Sequence, residues 1–266
     1  MLVEKELQTK IALDTLERYS GSGTEEFCSN LIITNFPRYV DYFARSRKLD
    51  TVEGSMFTVA HNKEEDISIL DFKIGSPAAA LVVDICSFLP INASIFLGMC
   101  GGLRRRYKVG EYILPVAGIR AEGTSDYYFP PEVPALSNFL VQKAISEVLE
   151  NEQAEYHVGI TYTTNMRFWE FKEEFVKKVI ASRAQCVEME CATLFSSSYK
   201  NKFNLGALLL ISDLPLESHG IKTKESSEQV YEQYTAEHVE MGVKSLQLAS
   251  KMYAKKIKGA YSRERE

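Results

Sequence analysis

Short apolar runs alternating with amphipathic stretches over 266 residues predict an α/β fold: one domain, with helices on both faces of a central sheet. Three observations carry this. Apolar runs at 31–34, 93–97 and 206–211 and the alternating stretch 156–164 have strand length, and helix-patterned segments separate them. The length suffices to bury one large core. No internal repeat or Gly/Pro/Ser-rich linker divides the chain.

Taken in order, residues 5–19 read as a helix with Leu7, Ile11 and Leu16 on one face, stopped by Gly21; residues 1–29 form an N-terminal helical extension. After the strand at 31–34, Asn35 is a candidate cap and Pro37 suits the first turn of the next helix. Segments 56–61 and 66–73 flank the polar turn 62–65 and read as a hairpin. Gly75-Ser76-Pro77 opens a helix reaching about residue 89, and the strand 93–97 runs into a tight turn at Gly98-Met99-Cys100-Gly101-Gly102. A strand at 111–120, a loop at 121–134, a helix at 137–153, a strand at 156–164 and a helix at 169–181 follow. Residues 186–213 read as strand end, helix and strand; then come a loop at 215–224 with His219 and Gly220 and a helix over about 225–256.

Composition excludes several classes. Lys+Arg 31 against Asp+Glu 36 leaves a net charge of -5, which argues against a nucleic-acid footprint. The first 20 residues are charged from Glu4 onward and lack a signal-peptide core. The longest apolar run, 78–89, is broken by Asp84, so no segment spans a bilayer. Cysteines at 28, 86, 100, 186 and 191, with no CxxC pair, fit free thiols in a reducing cytoplasm. Histidines at 61, 157, 219 and 238 show no metal-ligand spacing, and neither a metal nor a cofactor is expected.

The chemistry concentrates at 186–213. If its strands run parallel, their ends open on one edge and bring Glu188, Glu190 and Asp213 to one crevice, where carboxylates suit acid/base work and the binding of hydroxyls. The glycines at 98, 101 and 102 permit close backbone approach to an anion or sugar, or simply a tight turn. Gly75-Ser76, opening a helix, offers a second anion site or an ordinary cap. Arg38 can reach a phosphate, Tyr162 can stack on a base, and Arg167, Lys222 and Lys224 can add positive charge; surface placement is the bland alternative for the four cations, and half-buried packing for Tyr162.

Six blocks in order carry a resemblance: TNFPRYV at 34–40, LGMCGGL at 97–103, EGTSDYYFPPEVPAL at 122–136, YTTNMRFWE at 162–170, VEMECAT at 187–193 and SDLPLESHGIKTKES at 212–226. They resemble the nucleoside phosphorylase/nucleosidase superfamily of the hexameric purine nucleoside phosphorylase type, and within it the short-form AMP nucleosidases, over about 30–245. The resemblance implies a phosphorylase/hydrolase-like fold with a mixed, twisted central sheet, and a likeness to homohexamers built of dimers. It implies that Glu190 holds the 2′ and 3′ hydroxyls of a ribose, that Met189 packs under the sugar, and that Glu188 supports them. Asp213, positioned by Ser212, falls on the acid serving purine N7, Tyr162 on a base-stacking aromatic, Arg38 on a phosphate-binding arginine, and Gly75 and Gly98 on pocket glycines. Phosphorolytic relatives have an arginine and a Ser/Thr where Phe96 and Met99 stand, so the resemblance favours hydrolysis. Met99 and Met166 replace a lysine and an arginine of the short-form AMP nucleosidases, leaving Arg38, Arg167, Lys222 and Lys224 as the candidate phosphate readers. The implied activity is hydrolysis of AMP to adenine and ribose 5-phosphate without a cofactor. The alternatives are a phosphorylase or nucleosidase for unphosphorylated nucleosides, or a catalytically idle nucleotide-binding homologue. Arg45, Arg47 and His61 are further candidates for a site shared between subunits, and 215–224 for a lid.

Overall fold

The computed structural model describes residues 4–218 and 220–263. Its order is α1 (Lys5–Ser20), β1 (Asn30–Thr34), α2 (Pro37–Arg47), β2 (Val52–Glu53), β3 (Thr58–Asn62), β4 (Ile67–Asp71), α3 (Ser76–Cys86), β5 (Ala93–Gly102), β6 (Tyr112–Ala121), β7 (Ala135–Leu136), α4 (Phe139–Asn151), β8 (Tyr156–Thr164), α5 (Glu173–Ala181), β9 (Cys186–Glu188), α6 (Cys191–Asn201), β10 (Leu205–Asp213) and α7 (Lys224–Arg263). The α/β class, the mixed sheet and the β3–β4 hairpin stand as expected.

The sheet is organised by β5. Its first half pairs in parallel with β1 on one side and with β10 on the other. At its far end, antiparallel pairing with β9 takes over on the β1 side. The path β5–β10–β6–β8–β9 then returns to β5, so these five strands close on themselves as a small barrel, while β1, β4, β3 and β2 extend from it as an open sheet. Because β1, β5 and β10 are covered on both faces, both of their side-chain sets are apolar. Leu31, Ile33, Phe96, Leu209 and Ile211 pack with α1, α3 and α6 on one face. Ile32, Ile95, Leu97, Leu208 and Leu210 pack with α2, α4 and α7 on the other.

Two local expectations are corrected. The run Gly98–Gly102 is strand rather than turn. Its glycines admit neighbours: a Cβ on Gly98 would lie 2.5 Å from the Phe96 ring, and one on Gly101 2.9 Å from Pro215. Asn35 does not cap α2; Phe36 holds that position without a side-chain bond, and Pro37 fills the first turn. His219 lies outside the described residues.

Gly118 of β6 lets α6 approach closely, since a Cβ there would sit 2.9 Å from Ala192 Cα. That contact is with backbone and yields only if α6 shifts. Gly118→Ala is expected to destabilise the fold by about 1–3 kcal/mol, read as a lower urea midpoint; an unchanged midpoint would show that α6 is free to move.

Candidate active site

A crevice of about 250 Å³ opens where β9 and β10 meet the end of β5. Gly101 pairs with Val187 of β9 and with Asp213 of β10. The two acidic segments therefore straddle one strand. The convergence expected from the sequence is present, but its reason differs: β9 runs antiparallel to β5 while β10 runs parallel to it, so no common parallel edge brings them together.

The segment Glu188-Met189-Glu190 is gripped by two helix N-termini. Glu188 is buried, and its Oε2 accepts from the Glu190 N–H at 2.7 Å and the Cys191 N–H at 2.6 Å, at the start of α6. Its Oε1 accepts from the Thr161 and Thr163 hydroxyls of β8. An anion there complements the helix dipole, and four donors satisfy it. Glu188 is thus occupied in holding the turn. From the other side, Ser76 Oγ donates to the Met189 carbonyl at 2.7 Å, and the Gly75 N–H donates to Glu190 Oε1 at 2.8 Å. The anion at the start of α3 is the protein's own Glu190. That residue is 2% exposed, and its carboxyl is pushed up to about 8 by burial and by Glu188. The Gly75 and Met189 N–H groups and the Asn35 amide offset this in part.

Across the crevice, Asp213 Oδ1 accepts from Ser212 Oγ at 2.7 Å. Burial raises the Asp213 carboxyl, with the Ser212 bond, Lys222 and Arg167 opposing. Lys222 Nζ reaches to 3.7 Å from Met99 Sδ, and burial lowers its pKa. Asn35, Phe36, Ile74, Trp169, Glu170, Ser227 and Tyr231 also line the space, and the sequence marks none of them as a site residue. Ser227 and Tyr231 belong to α7, far along the chain, and no local pattern distinguishes them.

Of the residues expected at the site, Glu188, Met189, Glu190, Ser212, Asp213, Met99, Met166, Arg167 and Lys222 line the crevice. Others do not. Tyr162 is 1% exposed and packs with Leu103, Trp169 and Val187, because its neighbours Thr161 and Thr163 point to Glu188 and alternate strand residues face opposite ways. Gly98 lies inside β5 against Phe96 and Leu209. Gly75 contributes its N–H to Glu190 rather than to the open space. Arg38 pairs with Glu228 at 2.6 Å, lies over the Tyr231 ring and lines a neighbouring surface depression with Arg45. Lys224 is exposed at the first residue of α7. Arg47 is tied to Glu65 and Glu240, and His61 lies between Ser22 and Ser68, so neither faces the crevice. Among the described residues no cluster of metal-ligating side chains occurs, and no helix is long and apolar enough to cross a membrane.

Known proteins share this arrangement of chain. The AMP nucleosidase of Escherichia coli (strain K12) is 28% identical over 283 residues, covering 89% of the chain. The chain spans 58% of that relative's length. A uridine phosphorylase of Thermococcus kodakarensis is 30% identical over a stretch covering 49% of the chain and 51% of that relative. The crystal structure of AMP nucleosidase from Bacteroides thetaiotaomicron VPI-5482 matches with a TM-score of 0.82 and 33% identity, covering 93% of this chain and 99% of that one. A uridine phosphorylase from Vibrio fischeri ES114, with a TM-score of 0.73 and 18% identity over 84% of this chain and 93% of that one, shares the fold. The family model of the phosphorylase superfamily matches residues 30–246, and the chain belongs to that superfamily.

Proposed function

We propose that the protein is an N-glycosidase hydrolysing AMP to adenine and ribose 5-phosphate. The observation that carries this is a single crevice lined by a buried carboxylate, Glu190, a second acid, Asp213, and a cation, Lys222. Breaking the C1′–N9 bond leaves the electron pair on the purine and positive charge on the sugar, as in other glycoside hydrolyses. Asp213, its carboxyl raised by burial, holds a proton for N7. Glu190 takes the ribose hydroxyls and stabilises the cationic sugar, with Met189 beneath it. Water adds to C1′ and releases a proton to solvent, from which Asp213 is reprotonated.

Lys222 makes no ion pair within 4.0 Å among the described residues, leaving its charge for the 5′-phosphate. It stands beside Met99, where the family resemblance places a lysine, so a cation from the loop after β10 occupies similar space. Phe96, wholly buried under Gly98, offers no free phosphate a partner, which favours hydrolysis over phosphorolysis.

A cytoplasmic setting is supported by five free, buried cysteines. Self-association, with a homohexamer as the family's precedent, is supported by exposed aromatics such as Tyr127, Phe139 and Tyr199.

Incubation with AMP, adenosine and inosine, with and without inorganic phosphate, tests the activity. Adenine and ribose 5-phosphate are expected from AMP alone. A strict need for phosphate would replace hydrolysis with phosphorolysis, and binding without base release would make the protein an idle binder.

A further inference from the structure

Glu170 lines the crevice and takes no part in the proposed bond cleavage. It lies in the 3-10 turn Trp169–Phe171 that follows β8, a turn anchored by the buried Trp169 side chain. The Glu170 side chain is only 6% exposed. Its Oε1 faces Arg167 Nη1 at 3.7 Å, beyond direct hydrogen-bond range. Its Oε2 is buried and has no hydrogen-bond partner. A buried polar atom left unsatisfied is costly, more so when charged, so one that lines a crevice is an acceptor awaiting a donor. Asp213 lines the same crevice. Burial raises the Glu170 carboxyl, and Asp213 adds to the effect. Its own backbone N–H and then Arg167 oppose the shift and favour the ionised, acceptor-only form.

Purine chemistry says what that donor is. N7 and the 6-substituent lie on the same edge of the base; adenine presents an acceptor and an amino donor there, whereas guanine and hypoxanthine present two acceptors. If Asp213 serves N7, an acceptor beside it meets the 6-substituent. We propose that Glu170 accepts a hydrogen bond from the 6-amino group of the bound purine and thereby selects 6-aminopurines over 6-oxopurines. Against a 6-oxo group, the Glu170 carboxylate sets acceptor against acceptor and stays unpaired, which is how a polar pocket rejects the wrong ligand. The proposal deepens the reading of the crevice as a purine site and rests on it for the place of Asp213.

Calorimetric titration of adenine and hypoxanthine into the wild type and Glu170→Gln at neutral pH tests it. The wild type is expected to bind adenine at least ~100-fold more tightly, the scale set by a charged hydrogen bond gained in one case and lost in the other. The amide introduced by Glu170→Gln can turn its NH₂ to a 6-oxo group, so the variant should bring the two bases to within about 10-fold, with hypoxanthine gaining. Equal wild-type affinities, no binding of either base, or an unchanged ratio in the variant would each overturn the proposal. The wild-type comparison stands even if the variant does not fold. Free bases need no turnover, so base selection is read even where AMP is not cleaved, and cleavage of AMP with an unchanged ratio would leave the nucleosidase standing without this selector.

Discussion

Asp213→Asn is expected to lower kcat on AMP by about 10²–10⁴, the usual contribution of a positioned general acid, with the dissociation constant for AMP shifting by less than roughly 3-fold. The asymmetry follows from what the amide keeps. It is as large as the carboxyl, its oxygen still accepts from Ser212 Oγ, and its N–H₂ still offers a donor to N7. It cannot release a proton as the C1′–N9 bond breaks. Losing an interaction made only in the transition state lowers kcat without changing ground-state binding. Because burial raises the Asp213 carboxyl, the wild-type rate should also fall as pH climbs past that raised value, a fall that the variant's residual rate should lack. Single-turnover cleavage and equilibrium binding separate the cases. An unchanged rate would remove the general-acid role, and a parallel loss of binding would make Asp213 a recognition group.

What the sequence reveals of this site follows a physical divide. Glu188-Met189-Glu190 and Ser212-Asp213 are legible because each ends an apolar run, and strand ends are where an α/β fold places its chemistry. Their meeting point is less legible. It depends on β5 changing its partner from β1 to β9 partway along, a pairing choice made by long-range packing and not by local propensity. Tyr162 shows the limit of a one-residue reading: strand parity turns it into the core, and only Thr161 and Thr163 contacting Glu188 reveal the parity. Glu170 is invisible for a different reason. A lone acid in Arg167-Phe168-Trp169-Glu170 has no period or spacing, and its significance arises from an oxygen without a partner. Arg38 and Lys222 look equivalent as charges; one is spent on Glu228 and the other projects to Met99 in the crevice.

Glu190→Gln should lower kcat/KM by roughly 10²–10³, the scale of removing a preorganised electrostatic group, and at the same time make the protein more stable at alkaline pH. Both effects come from one buried charge. The Glu190 carboxyl in the folded protein sits near 8, above its ordinary value of 4.5, because burial and the neighbouring Glu188 oppose its ionisation. The folded state therefore holds a proton that the unfolded chain has released, and unfolding sheds it. Its contribution to stability is complete below the ordinary carboxylate range and is lost as pH rises towards about 8. The glutamine amide imitates the protonated carboxyl, and its oxygen can still accept the Gly75 N–H, so the variant has no such loss. The difference in melting temperature between variant and wild type should widen as pH rises from the ordinary carboxylate range to about 8 and then level off. The proposed role needs the opposite ionisation state: two ribose hydroxyls and a cationic sugar call for the anion, so substrate binding near neutral pH should release a proton in the wild type and none in the variant. Calorimetry in buffers of different ionisation enthalpy counts that proton, and scanning calorimetry across pH follows the stability. A flat melting-temperature difference would mean that Glu190 is ionised throughout. Proton release surviving in the variant would place the titrating group elsewhere, and full activity would end its role as the sugar clamp.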